Sequence, residues 1–229
     1  MSLNISKGNM YDFVTHTWNT VKGSCPHDCG YCYMKRWGKL KDPRLDETEF
    51  KTDLGSGNFI FVGSSNDLFA EEYPGFWIDR TLDYCKHFDN RYLFQSKNPD
   101  RFLRETVDPV DKKLVHPVLL KSVFCTTIES NRYYVVMRNA PAPVDRAKAT
   151  KEISEHIPTY VTIEPIMDFD LPELVSLVKM CNPTQVNIGA DSGNNSLPEP
   201  CKEKVLELIA ALSEFTTVKQ KKNLGRLLK

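Results

Sequence analysis

Long apolar runs are missing from this 229-residue chain, and without about 18 consecutive apolar residues no segment reads as a membrane-spanning helix. Met1-Ser2-Leu3-Asn4 lacks the charged-then-apolar order of a signal peptide. A charge of one sign is missing too. Lysine plus arginine and aspartate plus glutamate stand at 30 each, so the total argues for neither a nucleic acid nor a membrane partner and leaves only local patches to act that way. No repeat, linker or low-complexity stretch divides the chain. The expectation is one cytoplasmic domain over residues 1–229, long enough for a sizeable core. Cysteine, by contrast, occurs seven times, an odd number with three clustered; in a reducing compartment that favours metal binding over a disulfide framework.

The cluster is Cys25-Pro26-His27-Asp28-Cys29-Gly30-Tyr31-Cys32. Thiolates separated by three and then two residues can all turn inward on one loop, as a cysteine-held iron–sulfur cluster requires. A four-thiolate zinc or ferredoxin site wants another cysteine nearby, and none follows until Cys85. Three ligands on a four-iron cluster leave one iron open to a non-protein ligand. The competing reading is a small structural zinc site completed by His27 or a distant thiol, against which the spacing speaks. His27 itself reads as a solvent-facing loop residue.

Cys25, Cys29 and Cys32, with Tyr31 before the last thiol, resemble the C-x3-C-x-aromatic-C loop of radical S-adenosylmethionine (radical SAM) enzymes. Thr17-Trp18-Asn19, Gly63-Ser64-Ser65-Asn66-Asp67-Leu68-Phe69 and Gln95-Ser96-Lys97-Asn98-Pro99 resemble more narrowly a phage-associated radical SAM family of unknown function, the DUF5131 group. The loop is also similar, locally, to that of spore photoproduct lyase. The resemblance implies a [4Fe-4S] cluster on the three cysteines, with the amino and carboxylate groups of S-adenosylmethionine on the fourth iron. It further implies reductive cleavage to a 5′-deoxyadenosyl radical and an external electron donor of flavodoxin or ferredoxin type. The substrate, a small molecule or a nucleic acid, stays unidentified. No additional cysteine-rich segment is present for an auxiliary cluster.

Along the chain, strands are expected at Val14 to Asn19, Asn58 to Gly63, Arg91 to Gln95, Ser122 to Glu129, Thr159 to Ile163 and Gln185 to Gly189, with Val218 and its neighbours as a further candidate. Helices are expected at Tyr33 to Lys41, Gly75 to Phe88, from Pro99, at Val144 to His156, Leu171 to Cys181 and Glu199 to Phe215. Residues Arg132 to Pro143 read as a loop or short insertion. This alternation predicts βαβ units on a parallel sheet, an α/β fold. The resemblance selects a partial (β/α)6 TIM-like radical SAM barrel.

Strand periodicity sorts the late strands into two faces. Val161 and Ile163 oppose Tyr160, Thr162 and Glu164; Val186 and Ile188 oppose Gln185, Asn187 and Gly189, with Asp191 continuing that parity. Phe124 and Ile128 oppose Cys125, Thr127 and Glu129. Apolar faces must meet the outer helices, so the polar faces are expected inside, where a packed barrel would hold branched apolar side chains. Ligands bind at the C-terminal strand ends of such folds. The cysteine loop, Ser64 to Asp67, Gln95 to Lys97, Thr127 to Glu129, Glu164 and Asp191 are therefore expected around one mouth.

The usual Gly-Gly-Glu after the second strand is replaced by Gly63-Ser64-Ser65-Asn66-Asp67, so contact of Ser64, Ser65 and Asp67 with the methionine moiety is implied by position alone. The resemblance also implies ribose contacts for Thr127 and Glu129 and an adenine contact for Tyr31. Thr162-Ile163-Glu164-Pro165 stands where a glycine-rich motif is usual. Lys97, Glu164 and Asp191 complete the candidate cofactor set. Asp67 reads equally as a helix N-cap, and Glu129, Glu164 and Asp191 have the alternative of pairing with Lys97, Lys219 or Lys221. Cys125 is a candidate hydrogen-atom donor or a small buried hydrophobe. Cys85, Cys181 and Cys201 read as packing residues, and Lys219 to Lys222 with Arg226 as a solvated basic face or a phosphate contact. Two readings compete with a radical SAM enzyme on an unidentified substrate. One is a nucleic-acid repair or modification enzyme of lyase type. The other is a non-catalytic iron–sulfur or zinc protein that senses redox state.

Overall fold

A computed structural model describes residues 3–229. Its main sheet has eight strands in the order β1 (Asn4–Ile5), β2 (His16–Trp18), β5 (Phe59–Val62), β6 (Arg91–Ser96), β7 (Ser122–Thr127), β8 (Thr159–Ile163), β9 (Gln185–Ile188) and β10 (Thr217–Gln220). Every pairing from β2 onward is parallel; β1 lies antiparallel on β2. Between β2 and β5 runs a separate two-stranded ribbon of β3 (Val21–Lys22) and β4 (Arg44–Leu45). Five α-helices fill the later crossovers: α1 (Gly75–Cys85), α2 (Pro99–Thr106), α3 (Pro143–Ile153), α4 (Leu171–Met180) and α5 (Lys202–Ser213). Among the described residues no helix is long and apolar enough to cross a membrane.

The first crossover departs from expectation. Tyr33 to Lys41 is not an α-helix but a five-residue 3-10 turn, Tyr33–Trp37, halted by Gly38 at φ +81°, a conformation that side-chain-bearing residues rarely adopt. The excursion is closed at its base by β3 and β4, where Ser24 N donates to Lys41 O at 2.8 Å. Gly23 sits there at φ +103°, and a Cβ on it would lie 2.5 Å from Asp42 O.

The outer face of the sheet is apolar where periodicity requires. Ile60, Val62, Tyr92, Phe94 and Phe124 pack beneath Ile78 and Leu82 of α1 and Phe102 of α2, with the Phe102 and Phe124 rings 4.4 Å apart. Val161, Ile163, Val186 and Ile188 meet Leu174 and Val178 of α4 and Val205, Leu208 and Leu212 of α5. Each such side chain contributes about 1.5–3 kcal/mol by leaving water. Cys85 and Cys181 are fully buried in these layers, but Cys201 is exposed before α5, not packed.

The sheet curls until its ends approach. Phe13, just before β2, packs edge-on against Tyr160 of β8 with ring centroids 5.4 Å apart. Asn9 donates to Glu164 at 2.8 Å, and Asn223 N donates to Asn9 Oδ1 at 3.3 Å. The seam between first and last strands is thus sewn by side chains, with no ladder between β1 and β10 among the described residues; the barrel is partial. Its lumen is only half polar. Phe59, Phe61, Leu93, Val123 and Cys125 point inward with Tyr11 and Val14, with Phe13 packed against them, forming an apolar plug under the early strands. Thr162, Gln185 and Asn187 on the late strands keep the polar face that their parity predicts.

Candidate functional site

The cysteine loop lies across the C-terminal strand ends, folded as successive tight turns. Asp28 N donates to Cys25 O, Cys32 N to Cys29 O and Lys35 N to Cys32 O, at 3.1, 3.1 and 3.0 Å, with Asp28 in the left-handed region at φ +48°. All three thiols are free; Cys29 is buried, and Cys25 and Cys32 are half-buried. Burial pushes the Cys25 thiol up to about 12, and the nearby Asp67 carboxylate adds to the effect. Among the described residues no three His, Cys, Asp or Glu side chains are gathered to hold a single metal ion.

His27 is not solvent-facing. It is buried, with Nε2 2.8 Å from Asp67 Oδ2. Asp67 also accepts from Phe69 N at 3.0 Å and Lys97 N at 2.8 Å, so one carboxylate ties the cysteine loop to the turns after β5 and β6. Burial pushes the Asp67 carboxyl up, but the His27 imidazole and the Lys97 N–H outweigh it and hold the group below the usual carboxylate range. Asp67 caps no α-helix, since α1 begins only at Gly75. Gly63, at φ +81°, turns the chain out of β5; a Cβ there would meet Asn66 O at 3.1 Å. Beside it Ser64 Oγ and Ser65 N both donate to Asn19 Oδ1, at 3.2 and 2.9 Å, which leaves both serines half-exposed at the strand ends.

Behind the cysteines stands a buried charge network. Glu129 is fully buried and takes Lys97 Nζ at 2.7 Å on Oε1 and Arg146 Nη1 at 2.8 Å on Oε2; Tyr31 donates its hydroxyl to Oε1. Lys97 Nζ also contacts Tyr31 Oη at 2.6 Å and Cys29 Sγ at 3.5 Å. Arg146, itself fully buried on α3, donates to Thr127 O at 2.6 Å and Pro141 O at 2.7 Å. Burial alone would raise the Glu129 carboxyl, yet Arg146 and Lys97 hold it well below the usual range. Burial raises the Tyr31 phenol, and Glu129 and Cys29 add to this. Desolvation opposes the charge on Lys97, but Glu129 and Cys29 overcome it and its ammonium is held above the ordinary value. Two cations thus stand against one carboxylate, and the surplus faces Cys29. That donor set fits a group that turns the thiols into anionic ligands.

Residues 131–139, nearly all within the Arg132 to Pro143 segment read from the sequence as a loop or short insertion, brace this loop. Gly30 N donates to Val136 O at 2.8 Å, Asn139 N to His27 O at 3.1 Å, and Asn139 Nδ2 to Pro26 O at 2.9 Å. Arg138 pairs with Asp28, which also holds Lys35 at 2.6 Å. A Cβ on Gly30 would lie 2.5 Å from Val136 Cγ2. Cys29, Tyr31, Met137, Ala140 and Met167 share a small core beneath the loop.

The other expected residues lie elsewhere in the barrel. Gln95 accepts from Tyr11 Oη at 2.8 Å and donates to Thr127 Oγ1 at 3.2 Å, closing the plug from above. Cys125 is fully buried in that plug beside Tyr11, two residues below Thr127. Glu164 pairs with Lys221 at 2.5 Å and accepts from Asn9 and Asn223 at 2.8 and 3.0 Å. A Cβ on Gly189 would meet Glu164 Oε1 at 2.7 Å, so glycine makes room for this knot. Lys221 is therefore turned inward, not part of a solvated face. Asp191 accepts from Gly193 N at 2.9 Å and Asn195 Nδ2 at 2.7 Å and is occupied by its own turn. Sequence reasoning assigned no contact to Arg146 or Asn19 and missed the buried state of His27 and the 131–139 brace; a lone arginine on a helix and an irregular loop carry no local signal.

No protein-family profile and no curated protein matches this chain. Among solved structures it is similar to a spore photoproduct lyase mutant with bound AdoMet and dinucleoside spore photoproduct, at 11% sequence identity and a TM-score of 0.52, over 93% of this chain. The chain spans 66% of that lyase chain's length. The fold of the chain is accordingly the mostly parallel, partial TIM-like α/β barrel seen in that enzyme.

Proposed function

We propose that the chain is a radical SAM enzyme, with Cys25, Cys29 and Cys32 as ligands of a [4Fe-4S] cluster and S-adenosylmethionine over the strand ends. The observation that carries this reading is the position of a three-cysteine loop at the C-terminal mouth of a partial parallel barrel, backed by a cation surplus at Cys29. A cluster held there would supply one electron for reductive cleavage of the S-adenosylmethionine C–S bond, releasing methionine and a 5′-deoxyadenosyl radical. The protein's own residues hold and enclose. Asp67 and His27 fix the loop to the sheet; Ser64, Ser65, Tyr31 and Thr127 border the cofactor space; the Tyr11–Gln95–Thr127 chain floors it. Glu129, Glu164 and Asp191 act through what they position, since protein groups occupy their carboxylates. An external donor of flavodoxin or ferredoxin type would supply the electron.

The test is anaerobic reconstitution with iron and sulfide, then dithionite and S-adenosylmethionine, assaying 5′-deoxyadenosine in the wild type and in Cys29→Ala. Product in the first and none in the second is expected. A cluster with no cleavage in either favours a redox-sensing protein.

A second reading, nucleic-acid repair or modification, is favoured by the likeness to a lyase holding a dinucleoside and by exposed Arg36, Trp37, Lys39 and Lys41 beside the loop. For Cys125 to serve there as a hydrogen-atom donor, substrate must reach past Thr127 into the plug. Alanine at Lys39 and Lys41 is expected to weaken oligonucleotide binding and to reduce its salt dependence; unchanged binding rejects this reading.

A further inference from the structure

Lys97 has no proton left for a cofactor. An ammonium offers three donors, and the three nearest acceptors to Lys97 Nζ are Tyr31 Oη at 2.6 Å, Glu129 Oε1 at 2.7 Å and Cys29 Sγ at 3.5 Å. The side chain is held from both directions, because its own backbone N–H is fixed to Asp67 at 2.8 Å and its Nζ lies over the Tyr31 ring, 4.4 Å from the centroid. Its charge is not cancelled locally. Glu129 is shared with Arg146, which is fully buried and bonds also to Thr127 O and Pro141 O, so two cations share one carboxylate. The uncompensated part of that charge is directed at a single sulfur, Cys29.

We propose that Lys97 is a positioning residue that acts on the cluster through the Cys29 sulfur, favouring its reduced state, and that it is not a contact for S-adenosylmethionine. This rests on the reading that the three cysteines hold a [4Fe-4S] cluster. Hydrogen bonds to cluster sulfurs and nearby positive charge both stabilise the form carrying one more electron. The step concerned is the one-electron reduction of the cluster from its 2+ to its 1+ state, with dithionite as reductant in the experiment. Tyr31 and Glu129 serve to aim the ammonium, and Arg146 prevents Glu129 from cancelling it.

The experiment measures iron and sulfide content of the reconstituted full chain, then its reduction potential by EPR-monitored titration without S-adenosylmethionine. Lys97→Met is expected to disfavour the reduced state at least tenfold, a downward shift of about 59 mV for a one-electron couple, while Tyr31→Phe, which keeps the ammonium, shifts it less. A loaded Lys97→Met cluster with the wild-type potential overturns the inference and leaves the cluster reading standing. Wild-type protein that takes up no iron and sulfide overturns both. If Lys97→Met does not fold or load, the wild type decides: ENDOR of the reduced cluster with 15N-labelled lysine is expected to show a nitrogen coupling, and its absence overturns the proposal.

Discussion

Two glutamates stand just beyond neighbouring parallel strands, Glu129 after β7 and Glu164 after β8, and they do different work. Glu129 is wholly enclosed, with two cations and a phenol upon it. Glu164 is slightly more open and receives one lysine and two amides. The Glu164 knot is balanced in charge and joins the beginning of the chain to its end. The Glu129 knot is unbalanced, and its surplus lies against a cysteine. Balance marks the seam and imbalance marks the cysteine side. Strand position alone does not distinguish them.

Removing each carboxylate tests this difference. Glu129→Gln leaves Lys97 and Arg146 facing each other without a counter-charge, and the loss of stability is expected at about 3–5 kcal/mol by urea unfolding. The same variant is expected to flatten the acid side of the stability profile. Because the Glu129 carboxyl is depressed in the folded state, its contribution is complete above the ordinary carboxylate pKa and is lost as pH falls toward the folded value. Wild-type stability should therefore decline below about pH 4–5 more steeply than that of Glu129→Gln. Glu164→Gln is expected to cost less, about 1–3 kcal/mol, since Lys221 keeps the Tyr11 ring beneath its ammonium. Equal losses at the two sites would break the comparison.

How much of this was legible depended on range. The six strand positions and the apolar stripes of α4 and α5 follow from periodicity, and the pairings of Glu129 with Lys97 and Glu164 with Lys221 were among the alternatives that the residues left open. The turn after Cys32 was misread as a helix because its basic residues suit one, while Gly38 stops it after five residues. His27 and the 131–139 brace were invisible because their partners are remote; Asp28 and Arg138 are 110 positions apart. Arg146 reads as one more polar residue on a surface helix until α3 is packed against the barrel.

Smaller changes sharpen the cysteine side further. Gly30→Ala drives a methyl into Val136 Cγ2 and is expected to cost about 1–2 kcal/mol, within the range of overpacked sites. Adding Val136→Ala should recover part of that loss, a non-additivity measurable in a double-mutant cycle. Trp37→Ala, at a position 70% exposed in the same loop region, is expected to change stability by no more than about 0.5 kcal/mol. A large effect there would mean that the loop's sensitivity is general and not a property of its buried contacts.

The brace also sets a timetable. A ribosome that has delivered all three cysteines has yet to make Val136, Arg138 and Asn139, the residues that hold their loop in shape. At about 5–20 residues per second, that interval lasts several seconds or longer. During it the thiols have no finished seat, and a nascent chain interrupted before residue 139 would carry the cysteine motif without the means to present it.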